Sequence, residues 1–352
     1  GSEMCIRDRD TNGVLLYPDG QPRFRMIFVH GGGATKHGQS LGPPGRRAIA
    51  TFFDRGGSYC GSCAGSFLSG RNTDSHAEPR DGYLHIFPYN TRNTGIKKTR
   101  VGHRIPESSP LLQYDDFGND AYVDDIYHNN GNWLARPDLT NMPGVEVLAT
   151  YDTPDQDTDD GVAIWAWKKN DATGRIINIG SHPESVTGGE RLALTEACIR
   201  YAVSGNGSPI VKATLKNGVA RHMDKGSSSN DPDHTRIGDR QYHHFAFDVE
   251  SSTSDVSVKV AGDDGFDLNL YLHKETPAFE SNATFSSRRP GANQQIDEQL
   301  TPGRWYASVE CATTVDARLD ETQSHFRYTG QTDVIKGVAY TITVNQQSAG
   351  ST

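Results

Sequence analysis

A cysteine framed by small residues, Gly61-Ser62-Cys63-Ala64-Gly65, is followed about 120 residues later by His182-Pro183-Glu184. The first pattern, G-x-C-x-G, has the form of a nucleophile elbow, a tight strand-to-helix turn that projects its central side chain outward. Cysteine, histidine and a carboxylate are the parts needed for covalent acyl transfer: an attacking thiol, a base, and an acid that orients the base. These residues predict a thiol hydrolase with Cys63 as nucleophile, His182 as general base and Glu184 as its orienting partner. An elbow would set the sulfur at a helix N-terminus, where the macrodipole and a neighbouring imidazolium favour the thiolate. The amide of Ala64 and one from the run Gly31-Gly32-Gly33, at Gly32 or Gly33, would form an oxyanion hole. His30, Tyr59, Asn130 and Trp133 are the candidate substrate contacts.

Those side chains need elements to hold them. Arg25–Val29 reads as a short apolar strand ending in the glycine run, Pro44–Phe53 as a helix stopped by Gly56-Gly57, and Ser58–Cys60 as the next strand, with a helix from Ala64. Strand, helix, strand, helix at this spacing implies a parallel sheet with a site at the carboxyl ends of its strands. Tyr83–Phe87 and Val145–Tyr151 are short apolar segments in a less regular region. Val162–Trp167 and Arg175–Gly180 predict a strand pair joined by the turn at 170–174, the second strand delivering His182. Gly189–Val203 predicts a helix whose buried face would use Leu192, Leu194, Ala197, Cys198 and Tyr201.

Ser204-Gly205-Asn206-Gly207-Ser208-Pro209 has the composition of a linker. Beyond it the pattern changes to alternating strands without a helix: His243–Val249, Val256–Val260, Leu268–Leu272, Trp305–Val309 and Tyr340–Val344. That predicts a small antiparallel β-sandwich over residues 210–352, after an α/β domain over 10–203 and a linker at 204–209. Residues 1–9 read as a tag scar and translated adapter sequence, so neither they nor Cys5 enter the reading.

The 352 residues suit two domains better than one core. A net charge of −9 without a basic stripe argues against a nucleic-acid partner, and no apolar run is long enough to span a membrane. Cys60, Cys63, Cys198 and Cys311 are scattered, which is no disulfide framework. Cys60-Gly61-Ser62-Cys63 also fits a redox pair, although Cys60 is placed at the end of a buried strand. His30-Gly31-Gly32-Gly33 imitates a lipase oxyanion motif, but an α/β-hydrolase would put its acid between nucleophile and histidine. The acidic stretch 155–161 has Ala166 where a calcium loop needs glutamate, and reads as a solvated turn. His128–Gly131 fits a substrate loop or a plain turn, and His243-His244 reads as surface.

The elbow, His182-Pro183-Glu184 and the glycine-ended strand about 30 residues ahead of Cys63 resemble the class I glutamine amidotransferase-like superfamily. The resemblance is to the stand-alone domain related to the amino-terminal part of some biotin-protein ligases, over roughly Arg25 to Val203. It implies a flavodoxin-like three-layer α/β sandwich with a Cys-His-Glu triad at Cys63, His182 and Glu184, and leaves a homodimer open. Such domains usually begin with a further strand–helix–strand unit, and only about 24 residues precede the first strand here. From about Pro209 the chain resembles a bacterial pre-peptidase C-terminal domain, through Phe245–Val249, the stretch 264–272, Leu300–Tyr306 and Tyr340–Val344. That implies export and a peptide, polymeric or particulate substrate. No cofactor is required, and the calcium that some such modules bind would fall to Asp264 and Asp267. The expectation is a secreted cysteine hydrolase cleaving an amide bond, with ester hydrolysis and a non-catalytic scaffold as the other readings.

Overall fold

The computed structural model describes residues 15–73, 77–229, 231–250, 254–320, 322 and 325–348; the reading of residues 1–9 and Cys5 lies outside them. The chain divides into two compact units, one of residues 24–208 and one joining residues 15–23 to the segment from 209 onward. It is mostly β, with few helices.

The first unit is built on a seven-stranded sheet. Its elements are β1 (Met26–Val29), α1 (Ala34–Asp54), β2 (Ser58–Ser62), α2 (Ala64–Ser69), β3 (Thr99–Arg104) and β4 (Tyr122–His128). There follow β5 (Glu146–Asp152), β6 (Val162–Lys168), β7 (Arg175–Ile179) and α3 (Glu190–Ser204). The sheet order is β1-β2-β7-β6-β5-β3-β4. Only β1, β2 and β7 run parallel; the remaining pairs are antiparallel. The sheet is therefore mixed, where the strand–helix spacing at the start implied a parallel one. The cause is local: β6 and β7 are joined by the short turn at 170–174, and a connection that short can join only antiparallel strands.

β6 is buried along nearly its whole length, as its continuous apolar sequence requires. Ile164, Ile177, Ile179, Leu148, Val123 and Ile126 form the core with Leu194, Ala197 and Cys198 of α3. Leu192, assigned to that buried face, is 39% exposed instead. α1 begins ten residues earlier than its sequence signal, at Ala34. It is kinked at Gly42, whose φ is 64°, just before Pro43 and Pro44. Proline lacks a backbone donor and clashes with the preceding turn, which breaks the helix into two limbs. Tyr83–Phe87 forms no strand; Phe87 is buried in the core by packing on Trp165 and Trp167.

The second unit is a two-sheet sandwich. Five strands lie in the order Val211–Thr214, Tyr242–Val249, Gly303–Cys311, Leu268–Lys274, Phe285–Ser287, and four in the order Arg221–Met223, Tyr340–Ser348, Ser254–Gly262, Gln294–Leu300. Phe245, Phe247, Leu270, Leu272, Trp305 and Val309 meet Val256, Val258, Val260, Ile342 and Val344 in its core. Residues 15–23 belong to this unit, although the sequence placed them in the α/β domain. Asp19 is buried and ion-pairs with Lys212 at 2.6 Å, and it accepts from Gln241 Nε2 at 2.8 Å. Arg23 pairs with Asp239 at 2.5 Å, both nearly buried. A buried charge is tolerated only when paired, so these contacts fix the segment in place. His243 and His244, read as surface, are buried: His243 Nδ1 lies 2.9 Å from the Tyr340 hydroxyl and His244 Nδ1 2.7 Å from Ser308 Oγ.

Candidate active site

The elbow forms because two close approaches are open only to glycine. A side chain at Gly65 would strike the Val29 carbonyl of β1, and one at Gly61 would strike the backbone of Gly65 and Ser66. The chain can thus turn from β2 into α2 directly beside β1. Cys63, at the apex, has φ 45° and ψ −107°, a conformation costly for a residue with a side chain and characteristic of a strained functional turn. Its amide donates to the Ile179 carbonyl at the end of β7, at 2.8 Å. The Tyr59 hydroxyl donates to the Gly65 carbonyl at 2.7 Å and braces the turn from beneath.

His182 follows β7 by three residues, so the strand that anchors the elbow also delivers the imidazole. Its amide donates to the Tyr127 carbonyl at 2.9 Å, and its ring lies 5.6 Å from the Tyr127 ring. On the other side the ring fills the space a side chain at Gly31 would need. Glu184 Oε1 lies 2.9 Å from His182 Nδ1 and accepts from Ser62 Oγ at 2.6 Å. Cys63, His182 and Glu184 therefore meet at one point, joined by Ser62, which the sequence reading did not single out although it adjoins Cys63. Cys63 is only 8% exposed, yet its sulfur has partners: Asn129 O lies 3.8 Å from Sγ.

The electrostatics fit an acid–base pair. A hydrogen bond with the Cys63 side chain, then one with Glu184, lifts the His182 imidazole to about 9, against the opposing effect of burial. Burial pushes the Glu184 carboxyl up, but the bonds from His182 and Ser62 hold it below its ordinary range. Cys60 is buried and its thiol is pushed well up by burial, as expected of core packing and unlike one half of a reactive dithiol.

The other candidates divide. The amide of Ala64 is the first of α2, where no carbonyl of the helix can accept it, so it can serve an oxyanion. Gly32, exposed with φ 141°, and Gly33, which precedes α1, continue the loop whose Gly31 faces His182. Tyr59 is fully buried with its hydroxyl already used, so it cannot contact a substrate as the sequence suggested. His30 is exposed, with its ring 6.4 Å from that of His37. Asn130 stands in the loop beside Asn129 with φ 54°, its amide donating to the Ile96 carbonyl at 2.6 Å. Trp133 packs against Gly161 and the core of its unit. Asp264 is an exposed turn residue, and Asp267 accepts from the Gly291 amide. No group of three or more histidine, cysteine, aspartate or glutamate residues suited to a metal ion occurs among the described residues. The acidic stretch after β5 is a turn, as read from the sequence, tied down by Arg104 on Asp159 and Arg136 on Asp160.

No family model matches the chain, and no curated protein matches it. Solved structures with partial likeness include a protein described as thua-like from Bacteroides uniformis, 16% identical. That match covers 52% of this chain and 71% of the other, with a TM-score of 0.35. The glutaminase domain of Trypanosoma brucei CTPS with bound acivicin is 13% identical over 51% of this chain and 72% of that one, with a TM-score of 0.31. The pre-peptidase C-terminal domain of a Bacillus anthracis collagenase is 14% identical over 40% of this chain and 100% of its own, with a TM-score of 0.26. No helix among the described residues is long and apolar enough to cross a membrane.

Proposed function

We propose that residues 24–208 form a cysteine hydrolase of the amidotransferase-like α/β kind, which cleaves an amide bond through a thioacyl intermediate on Cys63. The observation that carries this reading is the convergence on the strained turn at Cys63 of a histidine–carboxylate pair 2.9 Å apart. In the first half-reaction the thiol proton rests on His182, whose imidazole is held up to about 9 by its bond with the Cys63 side chain, as the sulfur attacks the carbonyl carbon. The oxyanion is received by the Ala64 amide and an amide of the 31–33 loop, and His182 then protonates the leaving amine. Water attacks the thioester in the second half-reaction, with His182 again accepting the proton and the thiol leaving. Glu184 holds the ring with Nε2 toward the sulfur and stabilises the imidazolium. The sandwich, with its likeness in sequence to modules of exported hydrolases, supports a peptide or polymeric substrate met outside the cell.

The test is turnover of a pooled peptide library with matched esters. Cys63→Ala is expected to lose at least about a thousandfold in kcat, the scale on which removing one member of a triad acts. Turnover by Cys63→Ala equal to that of the unmodified chain would refute the reading. A preference for the esters would assign the same machinery to ester hydrolysis.

A further inference from the structure

We propose that His128 is the positioning residue of the Cys63–His182 pair, a role that rests on the hydrolase reading above. His128 ends β4 with no exposed surface, and its two ring nitrogens face the two sides of the reacting pair. The Gly131 amide donates to Nε2 at 3.2 Å. An N–H can only donate, so Nε2 carries the lone pair and the ring hydrogen sits on Nδ1. The Thr94 hydroxyl, 2.8 Å from Nε2, is then a second donor to it. Nδ1–H donates to Ser181 Oγ at 2.8 Å, and Ser181 immediately precedes His182.

One ring thereby closes the loop 128–131 and holds the strand end that carries the base. That loop presents the Asn129 carbonyl to Sγ at 3.8 Å. A thiol has a single hydrogen, so the Asn129 carbonyl and His182 compete for it, and the placing of the loop bears on the pair. The fit leaves little slack: a side chain at Gly131 would strike the Gly180 carbonyl and the His128 ring. Ser181 Oγ also lies 3.1 Å from His103 Nε2, which fixes it from a second direction. Burial, and after it the charge of His182, lowers the His128 imidazole to about 4, so the neutral tautomer that this arrangement needs persists across the working range.

The test compares His128→Phe, His128→Gln, Ser181→Ala and the double variant of His128→Phe with Ser181→Ala. Two readouts are used: kcat and KM on whichever library substrate turns over, and peptide-level alkylation of Cys63 by iodoacetamide from pH 5 to 10. Misplacing a reacting group by about 1 Å costs on the order of a hundredfold. His128→Phe is therefore expected to lower kcat about 10- to 100-fold with KM nearly unchanged, and to slow Cys63 alkylation at pH 7. His128→Gln keeps an acceptor for the Gly131 amide and is expected to recover part of both. The double variant should lose less than the product of the two single losses, because both variants break the His128–Ser181 bond. Wild-type kcat and alkylation in His128→Phe, or losses that multiply in the double variant, would overturn the role. Alkylation needs no substrate, so a changed profile without any turnover would keep the positioning role and sink the hydrolase reading alone.

Discussion

Tyr59 shows how a residue's type can suggest one task and its surroundings assign another. An aromatic hydroxyl four residues before Cys63 reads as a substrate contact, yet the ring is fully buried and the hydroxyl is spent on the Gly65 carbonyl. Tyr59→Phe removes that buried hydrogen bond and is expected to cost about 0.5–1.5 kcal/mol, measured by urea unfolding. KM for any substrate should stay within about twofold; a large rise in KM would return Tyr59 to the binding surface. Cys63, His182 and Glu184 stood out one by one as candidates because their chemistry is scarce: few residue types can attack, accept a proton or orient an imidazole. Ser62 and Ser181 did not, and His128 entered only with the stretch 128–131, since serines and a histidine at a strand end acquire meaning only from what lies within 3 Å of them.

At the scale of elements, the contact between β1 and the elbow is a tight joint beside Cys63. Gly65→Ala would drive a methyl into the Val29 carbonyl, backbone that cannot swing aside. The expected loss is about 1–3 kcal/mol of stability, with kcat falling as well because the elbow moves relative to His182. Gly188→Ala meets nothing within 4 Å and serves as the neutral comparison; equal melting temperatures for the two variants would refute the steric account. Several strands announced themselves, while β3 and β4 did not. Apolar runs bounded by turns gave β1, β2, β6 and β7, and alternation gave the sandwich strands, because burial of one or both faces imposes those patterns. Strand direction was less visible. The early strand–helix alternation suggested parallel pairing throughout, and only the short 170–174 turn signalled the antiparallel half of the sheet. The first limb of α1 was hidden by Gly38, Gly42 and the prolines, which disfavour helix in isolation but are overridden by packing.

The whole molecule depends on charges it has buried. Asp19→Asn would strand the Lys212 ammonium, which is 5% exposed, without its partner. Breaking such a pair costs about 3–5 kcal/mol, so the melting of the second unit should shift down by many degrees. An unchanged melting curve would show that the strap of residues 15–23 is dispensable. Acid should act on both units at once. Burial lowers His103 to about 3 and His128, His243 and His244 to about 4, while in the unfolded chain each takes up a proton near its ordinary 6.5. The unfolded state therefore binds more protons, and stability that is whole above pH 6.5 falls as pH drops toward 4. Urea midpoints measured at pH 7.5, 5.5 and 4.5 should decline in that order. A flat series would contradict the burial of these rings.

Asp19 and Lys212 are separated by 193 residues of chain, and the whole unit of residues 24–208 is made between them. At about 5–20 residues per second of synthesis, the aspartate waits on the order of 10–40 seconds on the ribosome before its lysine exists. The unit bearing Cys63 can complete its own folding in that interval, whereas the sandwich, begun first, must close last. A nascent chain stalled before residue 209 would thus carry the unit bearing Cys63 together with a segment 15–23 whose partners Lys212 and Asp239 do not yet exist.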